Sequence, residues 1–258
     1  MSRFEKYAQG TPSYVELTTP DQAAAKAFYG PLFGWELEDV PMGDAGYYVA
    51  VAKEGDAVAG ISGQMPGMEG HPAFWGVYLT VDDVDAVTAE VAGAGGRVEA
   101  QPFDVFDMGR MSAIQDPTGA RVNLWQPGTS IGTERANEPG TPIWNELISP
   151  DLDTAKAFYA ELLGVSWESQ SMEGGPDYTA YLVDGKQVGG AMPPMMENVP
   201  PHWNVYFNVE SVDETVARAT ELGGRVVAPA FDVPTVGRLA ILADPQGAMF
   251  NLMGASPS

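Results

Sequence analysis

An α+β fold of four βαβββ modules, two in each half of the chain, is predicted by three observations: an internal repeat, identical strand and helix punctuation in the two copies, and a globular composition. The chain has 258 residues, 45% hydrophobic and 19% charged, enough to bury one large core or two modest ones. TTPDQAAAKAFYGPLFGW is echoed by ISPDLDTAKAFYAELLGV, with Ala27-Phe28-Tyr29 matching Ala157-Phe158-Tyr159 at an offset of 130. Phe103-Asp104-Val105 matches Phe231-Asp232-Val233, Gly109-Arg110 matches Gly237-Arg238 and Asp116-Pro117 matches Asp244-Pro245, all at 128, so a small indel separates the two blocks. Residues 1–126 and 142–258 therefore read as two domains. The stretch between them, 127–141, is rich in Gly, Pro, Thr and charge without apolar period and reads as a linker.

The elements follow in order. A strand from Tyr14 to Thr18 runs into Thr19-Pro20, read as an N-cap hydroxyl followed by proline at the first helical position, and apolar residues then recur at helical spacing through Phe33. Ser149-Pro150 plays the same part in the second half. Two strand-like runs follow, Tyr47 to Ala52 and Val58 to Ser62. A second module opens with a strand from Trp75 to Val81 and a helix starting at Asp82 or Asp83. That helix ends in Gly93 to Gly96, and strands follow near Arg97, Met111 and Arg121. The matching helix in the second half has the capping box Ser211-Val212-Asp213-Glu214 and stops at Gly223-Gly224.

Charge and composition exclude several functions. Thirteen Lys plus Arg against 35 Asp plus Glu give a net charge of -22, a field that repels phosphate backbones and anionic lipid, so neither nucleic acid nor membrane is expected as a partner. Cysteine is absent, which removes disulfides, thiolate metal sites and a Cys nucleophile and fits a cytoplasmic protein. With only His71 and His202, a three-imidazole metal centre is impossible. The stretch MSRFEKYAQGTPSY has no apolar h-region and no run reaches the length of a membrane span, so the chain is expected to be soluble and unexported.

The module order, with the phrases PDQAAAKAFYGPLFGW, LTVDDVDAVTAEV and DPTGARVNLW, resembles the vicinal oxygen chelate superfamily of glyoxalase I, bleomycin-resistance proteins, fosfomycin-resistance enzymes and extradiol dioxygenases. The resemblance covers nearly the whole chain and implies a tandem member: modules paired into two curved mixed sheets, each wrapping a concave cavity, with helices on the outer faces. It also implies a small-molecule ligand or substrate. Because four modules pair within one chain, a monomer or loose homodimer is expected.

Strand parity sorts the side chains independently. In Trp75-Gly-Val-Tyr-Leu-Thr-Val81, Trp75, Val77, Leu79 and Val81 share one face and Gly76, Tyr78 and Thr80 the other. Trp203 to Val209 sorts likewise, leaving Asn204, Tyr206 and Asn208 opposite Trp203. On the first strands Tyr14, Glu16 and Thr18, and Trp144, Glu146 and Ile148, take the cavity side. On the closing strands Arg121, Asn123 and Trp125, and Met249, Asn251 and Met253, do so. One face is oily, the other aromatic and polar, as a ligand-lined surface requires. The candidate ligand-binding residues are Tyr14, Tyr78, Asn123, Trp125, Trp144, Asn204, Tyr206 and Asn251. Aromatic walls bind flat rings by offset stacking, and the same rings also serve simply to fill a sheet face.

The chain departs from the family's metal pattern. Metal-holding members present His, Gln or Glu on a module's first strand and Glu on the closing strand, whereas here those positions carry Tyr14, Gly76, Trp144, Asn204, Asn123 and Asn251. Neutral amide oxygens are weak ligands for divalent transition metals and an indole offers no donor atom, so no metal and no cofactor is expected. The histidines are read as preceding strands. Glu16 and Glu146 remain for chemistry: a desolvated carboxyl with a raised pKa can act as general base or acid, or it can merely accept hydrogen bonds and shape the cavity. Gly93-Ala-Gly-Gly96 follows a helix and is a helix stop, not a dinucleotide loop, and Gly60-Ile-Ser-Gly63 is not a hydrolase elbow. The Met-rich loops Met65-Pro-Gly-Met68 and Met192-Pro-Pro-Met-Met196 are read as sealing contacts between modules. Two functions follow: metal-independent binding of a hydrophobic, aromatic small molecule, or catalysis through Glu16, Glu146 or a non-standard metal site, for which the resemblance implies a lyase, isomerase or epimerase. Ring-opening dioxygenation ranks last, since its two-His, one-carboxylate triad falls on Trp144, Asn204 and Asn251.

Overall fold

The computed structural model describes residues 2–43, 46–64, 67–68, 70–171 and 178–256. In the first half, β2 (Pro12–Thr19), α1 (Gln22–Phe33), β3 (Glu36–Pro41), β4 (Tyr47–Lys53) and β5 (Asp56–Gly63) form one module. The next comprises β6 (Phe74–Thr80), α2 (Val84–Glu90), β7 (Arg97–Val105), β8 (Gly109–Gln115) and β9 (Arg121–Pro127). The second half repeats them as β11 (Pro142–Ile148), α3 (Leu152–Leu163), β12 (Ser166–Gln170), β13 (Tyr178–Val183) and β14 (Lys186–Met192), then β15 (His202–Asn208), α4 (Val212–Glu221), β16 (Arg225–Val233), β17 (Gly237–Ala243) and β18 (Met249–Gly254). Each half makes one eight-stranded sheet, ordered β3-β4-β5-β2-β6-β9-β8-β7 and β12-β13-β14-β11-β15-β18-β17-β16. Pairing is parallel at β2/β5, β6/β9, β11/β14 and β15/β18 and antiparallel elsewhere. The two sheets are thus mixed and curved, with the helices packed on their outer, apolar faces.

The helix starts differ from the sequence reading. The caps are Asp21 and Asp151, whose carboxylates accept from the backbone N–H groups of Ala24 and Thr154. Thr19 and Ser149 instead accept from the N–H of Asp21 and Asp151, a preparatory turn two residues upstream. A carboxylate at the helix N-terminus is favoured by both the open N–H groups and the dipole, and so takes the cap. Ser211 does cap α4, accepting from the Glu214 N–H. Strands β3 and β12 were not among the runs marked in the sequence: ELEDVP and SWESQ are charged edge strands, mostly exposed, without apolar alternation. Of the Met-rich loops, Met65 lies outside the described residues, and Met195 and Met196 are 79% and 68% exposed, so they seal nothing: Pro-rich loop backbone carries them into solvent. The linker carries a short strand, β10 (Arg135–Ala136), paired with β1 (Ser2–Arg3), and Arg135 bonds Asp56 and Glu138 beneath it.

The apolar faces of both sheets share one core. Phe207 of β15 packs its ring 4.9 Å from Phe33, 5.5 Å from Trp35 and 5.1 Å from Trp75, all in the other half. Two hydrogen-bond chains cross the same boundary. Trp75 Nε1–H donates to the Tyr29 hydroxyl, which donates to Asp244; Trp203 Nε1–H donates to the Tyr159 hydroxyl, which donates to Asp116. Each aspartate also accepts backbone N–H groups of its own DPxG turn. The repeated AFY and DP motifs therefore meet each other, first half against second. The adjoining glycines follow from this: a Cβ at Gly96 would stand 2.7 Å from the Phe158 ring, and one at Gly224 2.9 Å from Phe28. The remaining repeated motif is an ion-pair clip, in which Arg110 grips Asp85 and Asp104, and Arg238 grips Asp213 and Asp232, tying each hairpin to its helix.

Candidate functional site

On the face turned away from the helices, cross-strand register assembles two rows in each half. Tyr14 pairs with Tyr78 and Tyr78 with Asn123; in the next row Glu16 stands between Gly60 and Gly76. The second half repeats this with Trp144, Tyr206 and Asn251, and with Glu146 between Gly190 and Asn204. Trp125 lies one row on, beside Thr80. Register thus gathers the sequence-predicted residues of each half into one group per sheet, and the two carboxyls belong to different sheets.

The glycines in the carboxyl row make room for tyrosines missed in the sequence. Tyr48 lies across Gly60 and Tyr178 across Gly190, so closely that a Cβ at either glycine would overlap the phenol oxygen. The Tyr48 hydroxyl shares a hydrogen bond with that of Tyr14, and Trp144 Nε1–H donates to the Tyr178 hydroxyl at 2.8 Å. Both tyrosines sit on β4 and β13 at the repeat offset of 130, and that matched spacing was the available signal. His202, read as preceding its strand, is the first residue of β15 and pairs with Ile148; its Nε2 lies 3.1 Å from the Asn204 amide oxygen on the face that carries Glu146. Alternation from Asn204 places it there. Trp125 is 7% exposed, donates its Nε1–H to the Ser130 carbonyl and packs edge-on against Tyr78 at 6.3 Å, so the linker roofs it.

Burial pushes the Glu16 carboxyl above its usual range, against the opposite pull of the Ser62, Tyr78 and Tyr48 hydroxyls. Glu146 is raised for the same reason, opposed by Tyr206, whose hydroxyl donates to Oε2 at 2.8 Å, and by Tyr178, Asn204 and His202. The neighbouring phenols are raised as well, by burial and then by these carboxyls, and stay protonated. A raised carboxyl means that the folded chain binds this proton more tightly than the unfolded chain does. The stability it contributes is complete below the unfolded value of 4.5 and is lost as pH rises through the higher folded value. Asp56 and Asp213, lowered by their arginines, run the opposite way, with stability lost as pH falls, so a difference measurement is needed. Glu146→Gln is expected to gain stability relative to the native chain as pH rises through the folded Glu146 value. Denaturant unfolding of both proteins across that range checks it, and parallel profiles contradict it.

The profile of the Glyoxalase/Bleomycin resistance protein/Dioxygenase superfamily matches residues 11–124 and 143–252, one match per sheet. The chain belongs to that superfamily. This glyoxalase-superfamily chain is 47% identical, over 100% of its length and 99% of the relative's, to the protein named "Putative glyoxylase CFP32" of Mycobacterium bovis and Mycobacterium tuberculosis. It is 37% identical to the anthracycline biosynthesis protein DauV of Streptomyces sp. (strain C5), covering 96% of this chain and 94% of that one. Among solved structures, the Mn(II)-bound glyoxalase from Novosphingobium aromaticivorans superposes with a TM-score of 0.65 at 19% identity, over 96% of this chain and 83% of that one, a likeness of fold.

The superfamily's metal does not fit the donors present here. Tyr14 is bonded to Tyr48, Trp144 has no lone pair to offer, Gly76 has no side chain, and Asn123, Asn204 and Asn251 offer only neutral amide oxygens, weak ligands for a divalent transition metal. Among the described residues no group of three or more His, Asp or Glu side chains could hold a metal ion.

Proposed function

We propose that the open face of the first half binds a flat, largely apolar aromatic molecule, without a metal ion, through Tyr14, Tyr78, Asn123 and the Glu16 carboxyl, with Trp125 beneath. One observation carries the choice of half. Glu16 and Asn123 remain partly exposed, whereas their counterparts Glu146 and Asn251 are 5% and 2% exposed; Tyr14 and its counterpart Trp144 are both partly exposed. The second half's Trp144, Asn204, Tyr206 and Asn251 form a copy of the site that is more closed at its carboxyl and its closing-strand amide, while Trp144 and Asn204 stay partly exposed. Burial raises the Glu16 carboxyl, and in its protonated form it donates a hydrogen bond to a quinone or ketone oxygen, which an ionised one cannot do. The relative named for anthracycline biosynthesis supports a fused-ring aromatic ligand, since such molecules carry phenol and quinone oxygens on their edges. The net charge of -22 favours a neutral ligand and disfavours nucleic acid and anionic membrane as partners. Among the described residues no helix is long and apolar enough to cross a membrane, and a cytoplasmic monomer or loose homodimer completes the reading.

The second reading is catalysis by proton transfer, favoured by the raised pKa of Glu16 and the hydroxyls around it; a lyase or isomerase step needs such a base. Titration of 1,8-dihydroxyanthraquinone into the native chain and Glu16→Gln tests both. Saturable binding retained in the variant, with no conversion of the quinone by either protein, is the result expected for a binder. Conversion by the native chain that is lost in Glu16→Gln at unchanged affinity makes Glu16 the catalytic residue, and no saturable binding overturns the assignment of the face.

A further inference from the structure

A cavity of about 290 Å³ lies between the two halves, where the first turns of β2 and β11 approach each other, with Phe4, Tyr7, Ser13, Ile143, Asn145 and Val188 in its wall. The volume is near the lower end of ligand pockets, about 300 Å³. Ser13 alternates with Val15 and Leu17, and Asn145 with Leu147, so both side chains belong to the inter-sheet faces, not to the open ones. They are 2% and 8% exposed, and neither the Ser13 hydroxyl oxygen nor the Asn145 amide oxygen finds a protein partner among the described residues. Buried polar atoms are almost always bonded, so two orphans in the wall of one cavity call for a ligand.

The internal repeat supplies a control. Pro12-Ser13-Tyr14-Val15-Glu16-Leu17 aligns with Pro142-Ile143-Trp144-Asn145-Glu146-Leu147, so Ser13 corresponds to Ile143 and Asn145 to Val15. At each position the other half builds the same strand with an aliphatic residue, and neither polar group is a requirement of the fold. From this we infer that the seam is a second small-molecule site, taking a neutral, phenol-sized molecule whose single hydroxyl donates to the Asn145 oxygen and accepts from the Ser13 hydroxyl. An amide oxygen only accepts, so the ligand must bring a proton donor. Phe4 and Tyr7, stacked at 5.0 Å, offer ring surface to a flat body. Lys186 also borders the cavity, but the chain's charge of -22 works against an anion. Tyr14 and Trp144 of the open-face rows also border the cavity, whereas its two unpartnered polar atoms belong to the inter-sheet side.

The test is ¹⁹F NMR titration of 4-fluorophenol, with 4-fluorobenzoate as the anionic comparison, against the native chain and variants that install the repeat's own residue, Ser13→Ile and Asn145→Val. Saturable binding of the phenol is expected, weakened about tenfold in each variant, the usual scale for one lost hydrogen bond. The unliganded variants should melt no lower than the native chain, because an unpartnered buried polar atom has been removed. A lower melting temperature in both variants would make the groups structural and overturn the proposal. So would absence of saturable binding, tighter binding of the benzoate, or a phenol signal lost in Glu16→Gln and kept in Asn145→Val, which places the phenol on the open face.

Discussion

Phe207→Ala is expected to lower the unfolding free energy by about 3–5 kcal/mol, the cost of removing a fully buried aromatic ring and leaving a cavity. The effect should extend beyond its own half. Phe207 is 0% exposed and its nearest rings, Phe33, Trp35 and Trp75, come from the first sheet and its flanking helix. With the two tyrosine-to-aspartate chains crossing the same boundary, the halves are expected to unfold in one cooperative transition that shifts as a whole. Trp75→Ala, on the opposite bank of this contact, belongs to the same class of loss. Denaturant unfolding followed by circular dichroism measures it. Two transitions, with only the second half weakened, would show that the shared core does not couple the halves.

Tyr14→Ala is expected to weaken binding of a flat aromatic ligand by about 1–3 kcal/mol, the scale of a lost ring wall and its buried area. Trp144→Ala, its counterpart in the more closed copy, should leave that affinity within about threefold, less than 1 kcal/mol. Trp125→Ala should instead reduce stability, because its indole is packed between Tyr78 and the linker and bonded to Ser130. Isothermal titration with the anthraquinone, paired with thermal melts, separates the three. A larger loss in Trp144→Ala than in Tyr14→Ala would move the site to the second half.

The open-face rows were legible because strands alternate strictly: once Trp75 and Trp203 are assigned to the oily side, Tyr78, Asn204 and Tyr206 must face the other way. The repeat itself was legible in the AFY, FDV, GR and DP motifs. What those motifs do was not, because a repeat gives no hint of which copy meets which, and Tyr29 meets Asp244 across 215 residues of chain. The edge strands β3 and β12 were hidden by their charges, which protect an open sheet edge but erase the apolar alternation by which a strand is read. Tyr48 sits in a strand that the sequence marks and Tyr178 at the matching position of the repeat, yet their contact with Glu16 and Glu146 runs across the intervening strands β5 and β14, where Gly60 and Gly190 leave room. His202 escaped through a boundary one residue too late, a common error at strand ends.

The Glu16 face is expected to bind an aromatic ligand with no metal ion. The most direct test is anthraquinone titration of the protein before and after exhaustive chelation, with elemental analysis of the same samples. A saturable titration unchanged by chelation is expected, with less than about one-tenth of an equivalent of transition metal per chain, well short of a structural or catalytic site. About one equivalent of Mn, Fe, Ni or Zn, with binding lost on chelation and restored when the metal is returned, would contradict it.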